Sequence, residues 1–117
     1  MTGDPADLAV EYTVTATLPT PEVLEEYVAW LGGGHARAVV SAGARSARVA
    51  RLLEPPWPLR VEARYLFASL AQYEDYQTHR ASTLRAEGVR LFAGRGVTFE
   101  RRLGRIEYAK DLGSSRL

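Results

Sequence analysis

From Val10 to Leu18 the chain alternates, with Val10, Tyr12, Val14, Ala16 and Leu18 on one side and Glu11, Thr13, Thr15 and Thr17 on the other. A period of two in β-branched and aromatic residues predicts a half-buried strand. The strand stops at "LPTPE", where Thr20 is placed to cap a helix beginning at Pro21, with Glu22 and Glu25 near its positive end. Leu24, Tyr27, Val28 and Leu31 then follow helical spacing, i, i+3, i+4, i+7. Gly32, Gly33 and Gly34 interrupt that helix. An interior glycine costs up to about 1 kcal/mol relative to alanine, so a run of them predicts a bend or a break. "HARAVVSAG" resumes the helix for a turn or two until Gly43 ends it.

In "ARSARVARLLEP" Ala47, Val49 and Leu53 lie against Arg48, and the Leu52–Leu53 doublet leaves room for a bulge. "EPPWP" is a turn, because proline has no donor for a central strand. Leu59, Val61, Ala63, Tyr65 and Phe67 alternate with Arg60, Glu62, Arg64 and Leu66 as the next strand. Ser69 with Gln72 forms a capping box that opens a second helix, whose inward stripe is Leu70, Tyr73, Ala81 and Leu84. Gly88 and "AGRG" at 93–96 loosen its end. Val97, Phe99, Arg101 and Leu103 against Thr98, Glu100 and Arg102 make the last strand. The order β-α-β-β-α-β, with right-handed crossovers, predicts an α+β ferredoxin-like sandwich: four antiparallel strands with both helices on one face. The domain spans residues 10–108, between a short polar arm at 1–9 and a flexible tail at 109–117.

The helices would cover the side carrying Tyr12, Val14, Val61, Tyr65 and Phe99. The opposite face carries Glu11, Thr13, Thr15, Arg48, Arg60, Glu62, Arg64, Glu100 and Arg102. Such a face is either solvated or stacked on a second sheet across a two-fold axis, where buried charge is tolerable only when partnered.

Composition narrows the function classes. The 117 residues contain no cysteine, which removes disulfides, thiolate zinc sites and a cysteine nucleophile. Fifteen basic against fourteen acidic residues, a net charge of +1, argue against nucleic-acid binding. No apolar run approaches the roughly 20 residues of a membrane span, and the first residues lack the pattern of a signal peptide. A cytoplasmic protein is expected.

From Tyr12 to Arg102 the chain resembles a small, mostly bacterial family of unknown function in the dimeric α/β-barrel superfamily, alongside the antibiotic-biosynthesis monooxygenases. The resemblance rests on Trp30 late in the first helix, followed by His35, Val39 and Gly43. It continues through "RLLEP" at 51–55, the Tyr65 strand, Ser69 opening a helix with Tyr76, "LRAE" at 84–87, Phe92 and "FERR" at 99–102. The glycine triplet departs from the pattern, since similar sequences carry polar helix formers there. The resemblance implies a homodimer built around facing sheets and no established activity.

"GGGH" is neither an esterase oxyanion turn, for want of G-x-S-x-G, nor a phosphate loop, for want of the following lysine and hydroxyl. His35 and His79 have no metal-site spacing, so no metal and no cofactor are expected. His79 lies opposite its helix's apolar stripe, whereas His35 is the candidate acid or base, or else a structural cap at the bend. On the free face Arg48, Arg64 and Arg102 are candidate ligand-binding groups for a carboxylate, or else cross-strand partners of Glu62, Glu100 and Glu11. Trp57 is a cavity rim or a packing residue, and the tyrosines at 12, 27, 65, 73 and 76 read as core. The expected function is a homodimer that binds a small molecule between facing sheets. The alternative is a cofactor-independent monooxygenase- or isomerase-like enzyme acting on a small aromatic or anionic metabolite.

Overall fold

The computed structural model describes residues 8–110. β1 (Val10–Leu18) obeys its alternation: Val10, Tyr12, Ala16 and Leu18 are buried toward the helices. α1 (Pro21–Trp30) starts where the cap requires, with the Thr20 hydroxyl accepting from the Val23 N–H at 3.2 Å. The glycine triplet then forces a π-helical turn, Leu31–His35, in which Gly34 leaves the helical region at φ 159°, ψ −30°. α2 (Ala36–Ser41) continues on a new heading and stops before Gly43.

β2 (Ser46–Arg51) and β3 (Leu59–Phe67) pair without interruption, so the leucine doublet lies past the strand end and makes no bulge. The second helix differs from the sequence expectation, for it is divided into α3 (Leu70–His79) and α4 (Ala81–Phe92) by Arg80 at φ −128°, ψ −31°. The reason is phase. Tyr76 and Ala81 are both buried, yet residues five apart on a straight helix point roughly 140° away from one another. Breaking at Arg80 rotates Ala81, Gly88 and Phe92 onto the core side that Tyr76 already occupies. Gly96, at φ 88°, turns the chain in a left-handed conformation into β4 (Thr98–Arg105).

The sheet order is β2-β3-β1-β4, antiparallel throughout, which is the ferredoxin-like topology with its helices on one face. Tyr27, Phe67, Leu18, Leu31, Val39 and Val61 form the most deeply buried part of the core between helices and sheet. Of the expected arm at 1–9, Leu8 and Ala9 are described, and their carbonyls accept from the N–H groups of Leu70 and Ile106 at 3.0 and 2.9 Å. Residues 1–7, and residues 111–117 of the expected tail, lie outside the described residues.

Candidate functional site

Register places Tyr12, Tyr65 and Leu103 in one inward row of the sheet and Val14, Ala63 and Arg101 in the next. Above these rows the helices do not close completely. A cavity remains, with about 50 Å³ open to the centres of water-sized molecules. A cavity of roughly 150 Å³ takes up one benzene, so the enclosed space suits a few waters, and a larger molecule enters only in part, from the side where Val89 and Arg101 are exposed. Ala63 keeps the floor low, and the tyrosines wall it: the Tyr12 ring lies 6.1 Å from Tyr65 and 6.4 Å from Tyr76.

Two glycine features shape the opposite wall. A Cβ at Gly88 would meet the Trp30 ring at 3.0 Å, so the bare backbone lets the indole lie against α4. The π-helical turn does the rest. Trp30 and His35 are five residues apart, which a straight helix would turn roughly 140° away from one another. In the bent helix their rings stack at 4.0 Å and 21°. Turns of this kind recur at functional sites.

His35 lines the cavity with unusual freedom. Its Nδ1 is sealed from solvent and has no hydrogen-bond partner. Burial holds its pKa below the ordinary 6.5, opposed by the negative charge of Glu87, so the imidazole is neutral at neutral pH. Burial pushes the Tyr27 and Tyr76 phenols up to about 12, against the pull of Arg101, and raises Tyr65 as well. All three remain protonated donors at neutral pH. Arg85 and Arg101 supply positive charge at the same cavity. Arg85 donates through Nη2 to the Gln77 amide oxygen at 3.1 Å, while its buried Nε has no partner. Among the described residues neither arginine is ion-paired to a carboxylate.

The other face differs. Arg48, Arg64 and Arg102 point away from the cavity and are matched with Glu11 at 3.8 Å, Glu62 at 2.7 Å and Glu100 at 3.2 Å. Arg64 and Arg102 choose a glutamate two residues away on their own strand, not the cross-strand neighbour expected from sequence. Trp57 is 64% exposed in the connection between β2 and β3 and does not line the cavity. Of the candidate catalytic and ligand-binding residues named from sequence, His35 alone sits in it. His79 is exposed and lies 3.1 Å from Asp75. Arg85, Arg101 and the tyrosine hydroxyls were missed as site residues. The available signal was Arg101, a charge between Phe99 and Leu103 on the inward parity of β4.

Among the described residues no group of three or more His, Cys, Asp or Glu is arranged to hold a metal ion, and no helix is long and apolar enough to cross a membrane. No curated protein matches the chain. Solved structures do. A dimeric ferredoxin-like protein from an uncultured marine organism aligns over 88% of this chain and 99% of its own, at TM-score 0.69 and 15% identity. A mutant of SnoaB, a cofactor-independent oxygenase from Streptomyces nogalater, aligns over 89% and 97%, at TM-score 0.58 and 17% identity. A Dabb family protein with a ferredoxin-like fold from Mesorhizobium loti aligns over 91% and 99%, at TM-score 0.55 and 22% identity. At such identities the likeness establishes the fold. Residues 10–106 match the domain of unknown function DUF4286, and the chain belongs to that family.

Proposed function

We propose that this chain is a homodimeric domain that binds a small planar acid, an aromatic carboxylate, in the cavity beneath its helices. One observation carries the reading: two guanidinium groups without carboxylate partners among the described residues, Arg85 and Arg101, share a single aromatic chamber. The neutral imidazole of His35 lies in the same lining; of the described buried polar atoms without partners, His35 Nδ1 and Arg85 Nε belong to these walls and Arg60 Nε to the opposite sheet face. Tyrosine and tryptophan walls favour a flat ring, and guanidinium groups favour a carboxylate.

The uncovered face suits a second copy of the chain. Arg48, Arg64 and Arg102 form one row across the sheet, and Glu62 and Glu100 form the row two residues along. A two-fold partner that lays its arginine row over this glutamate row satisfies both sheets at once. The likeness to a dimeric ferredoxin-like protein supports a homodimer. A ligand held between facing sheets by Arg48, Arg64, Arg102 and Trp57 is the competing placement, and it requires those arginines to give up their glutamates. A cofactor-independent oxygenase or isomerase acting on a small aromatic or anionic metabolite is the alternative activity. The likeness to SnoaB supports it only at the level of the fold.

Titration calorimetry with phenylacetate separates the two placements. Arg101→Gln is expected to weaken binding about tenfold or more, with Arg102→Gln unchanged; the reverse result would move the ligand between the sheets. No binding to the wild type would sink the ligand reading altogether. Light scattering tests the dimer, since a monomer at micromolar concentration contradicts it.

A further inference from the structure

We propose that two copies of this chain stack their open sheet faces with the strands running in opposite directions, so that Arg60 of each copy pairs with Glu11 of the partner subunit. This rests on the homodimer reading above and adds to it the register and the contact that fixes the register.

Strand pairing sets the outward residues in four rows across the sheet. The first carries Arg60, the second Glu62 and Glu100, the third Arg48, Arg64 and Arg102, and the fourth Glu11; the other outward positions are uncharged. The sign of charge therefore alternates along the strands: positive, negative, positive, negative. A two-fold axis lying along the strands allows no shift between the copies, and it sets like charge on like charge in every row. An axis crossing the strands between the second and third rows reverses the order, and every row then meets its opposite. Facing like charges are costly and facing opposite charges fix register, so the banding selects the reversed stack.

Arg60 and Glu11 are also the charges of this face least engaged within one chain. Among the described residues Arg60 has no carboxylate partner, and its Nε is sealed from solvent without a hydrogen bond. Glu11 is met only by Arg48 at 3.8 Å, too far for a hydrogen bond, against 2.7 Å for Arg64 with Glu62 and 3.2 Å for Arg102 with Glu100. In the reversed stack each strand lies over its own counterpart. Arg60 then comes over Leu66 of the partner subunit, with the partner's Glu11 about 5 Å to the side on the neighbouring strand. The apolar stem of the arginine covers that leucine while its guanidinium reaches the carboxylate. Stacked sheets lie about 10 Å apart, a gap that one arginine and one glutamate span together. Sheet twist crosses the two sets of strands by about 30°, which displaces Arg60, about 10 Å from the axis, by about 5 Å, within the length of its side chain.

Exchange of charge between subunits is the test, read by light scattering and sedimentation on variants whose circular dichroism matches the wild type. Arg60→Glu and Glu11→Arg, each alone, are expected to weaken the dimer about tenfold or more. Mixed in equal amounts, the two variants are expected to regain the wild-type affinity, because a mixed pair has opposite charges at both contacts. Glu11 and Thr17, the β1 neighbour of Arg60, are six residues or about 20 Å apart, so recovery cannot arise within one subunit. Single variants that dimerise like the wild type, or mixtures that do not recover, overturn the register and leave the homodimer standing. Because the chain has no cysteine, a second measurement avoids charge reversal. A bis-maleimide spanning about 10 Å, the gap between stacked sheets, is expected to join subunits carrying both Arg60→Cys and Glu11→Cys far better than subunits carrying either alone. Efficient cross-linking of Arg60→Cys alone marks strands running the same way and overturns the proposal. A wild type that is monomeric at micromolar concentration overturns it together with the homodimer reading.

Discussion

The two faces of this sheet come from the same strands, one residue out of step, and they solve opposite problems. Inward positions carry tyrosines and small apolar residues beneath the bent helices, with Arg51, Arg101 and Arg105 on the same parity in the edge strands. Outward positions carry threonines and a patchwork of arginine and glutamate, with Arg48, Arg64 and Arg102 each matched to a carboxylate. On the outer face these three arginines are answered within the chain, with Arg60 Nε the exception, whereas Arg85 and Arg101 at the chamber have no carboxylate partner among the described residues. Abundance of charge therefore misleads as a guide to a binding site; polarity without a partner, inside an apolar wall, is the better guide.

Substitutions should separate the faces by the size of their effects. The largest belongs to the inner face at Phe67, which is fully buried. Phe67→Ala is expected to destabilise the fold by about 3–5 kcal/mol in denaturant titrations. Next comes the wall of the chamber: Gly88→Leu drives a side chain into Trp30, 3.0 Å from the first added carbon. It is expected to cost about 1–3 kcal/mol and to abolish phenylacetate binding. An unaltered affinity would mean that the ligand does not use this chamber.

A smaller effect is a pH dependence. Because the folded protein holds the His35 pKa below 6.5, the unfolded chain binds more protons just below that pH. Stability is thus fully present above about pH 6.5 and declines as the pH falls through the folded-state pKa. Glu87 on α4 opposes the shift, and Arg85 and Arg101 share the lining. His35→Gln should flatten this part of the stability profile relative to the wild type, measured by thermal melts from pH 7.5 downward. Parallel profiles would show that His35 titrates as it would in water. The smallest effect is expected outside: Arg102→Gln breaks a pair whose side chains are both more than half exposed. It should change chain stability by less than about 1 kcal/mol.

Much of this architecture was legible before any coordinates. Strict alternation in β1 and β3 fixed which side chains face the helices, and Thr20 and Ser69 marked the helix starts, since caps and periodicity are local signals. The break at Arg80 was not read, although a five-residue step between inward Tyr76 and inward Ala81 is incompatible with one straight helix. The bend at Gly32–Gly34 was legible, but its consequence was not. Stacking of His35 on Trp30 depends on a turn geometry that residue identities do not specify. The chamber was hidden for a related reason. Tyr12, Tyr27, Tyr65 and Tyr76 do behave as core residues, and a cavity among them is a deficit of packing, which no periodicity records. Arg101 was the exception: a charge on an inward position was visible in the alternation itself.

The two tryptophans offer a direct way to decide which region takes the ligand, because Trp30 lines the chamber and Trp57 is exposed outside it. Their indole N–H resonances, resolved by ¹⁵N-labelled NMR, can be followed through a phenylacetate titration. The account expects the Trp30 signal to shift with saturable dependence on ligand while Trp57 stays still. A saturable shift at Trp57 with Trp30 unmoved would contradict it.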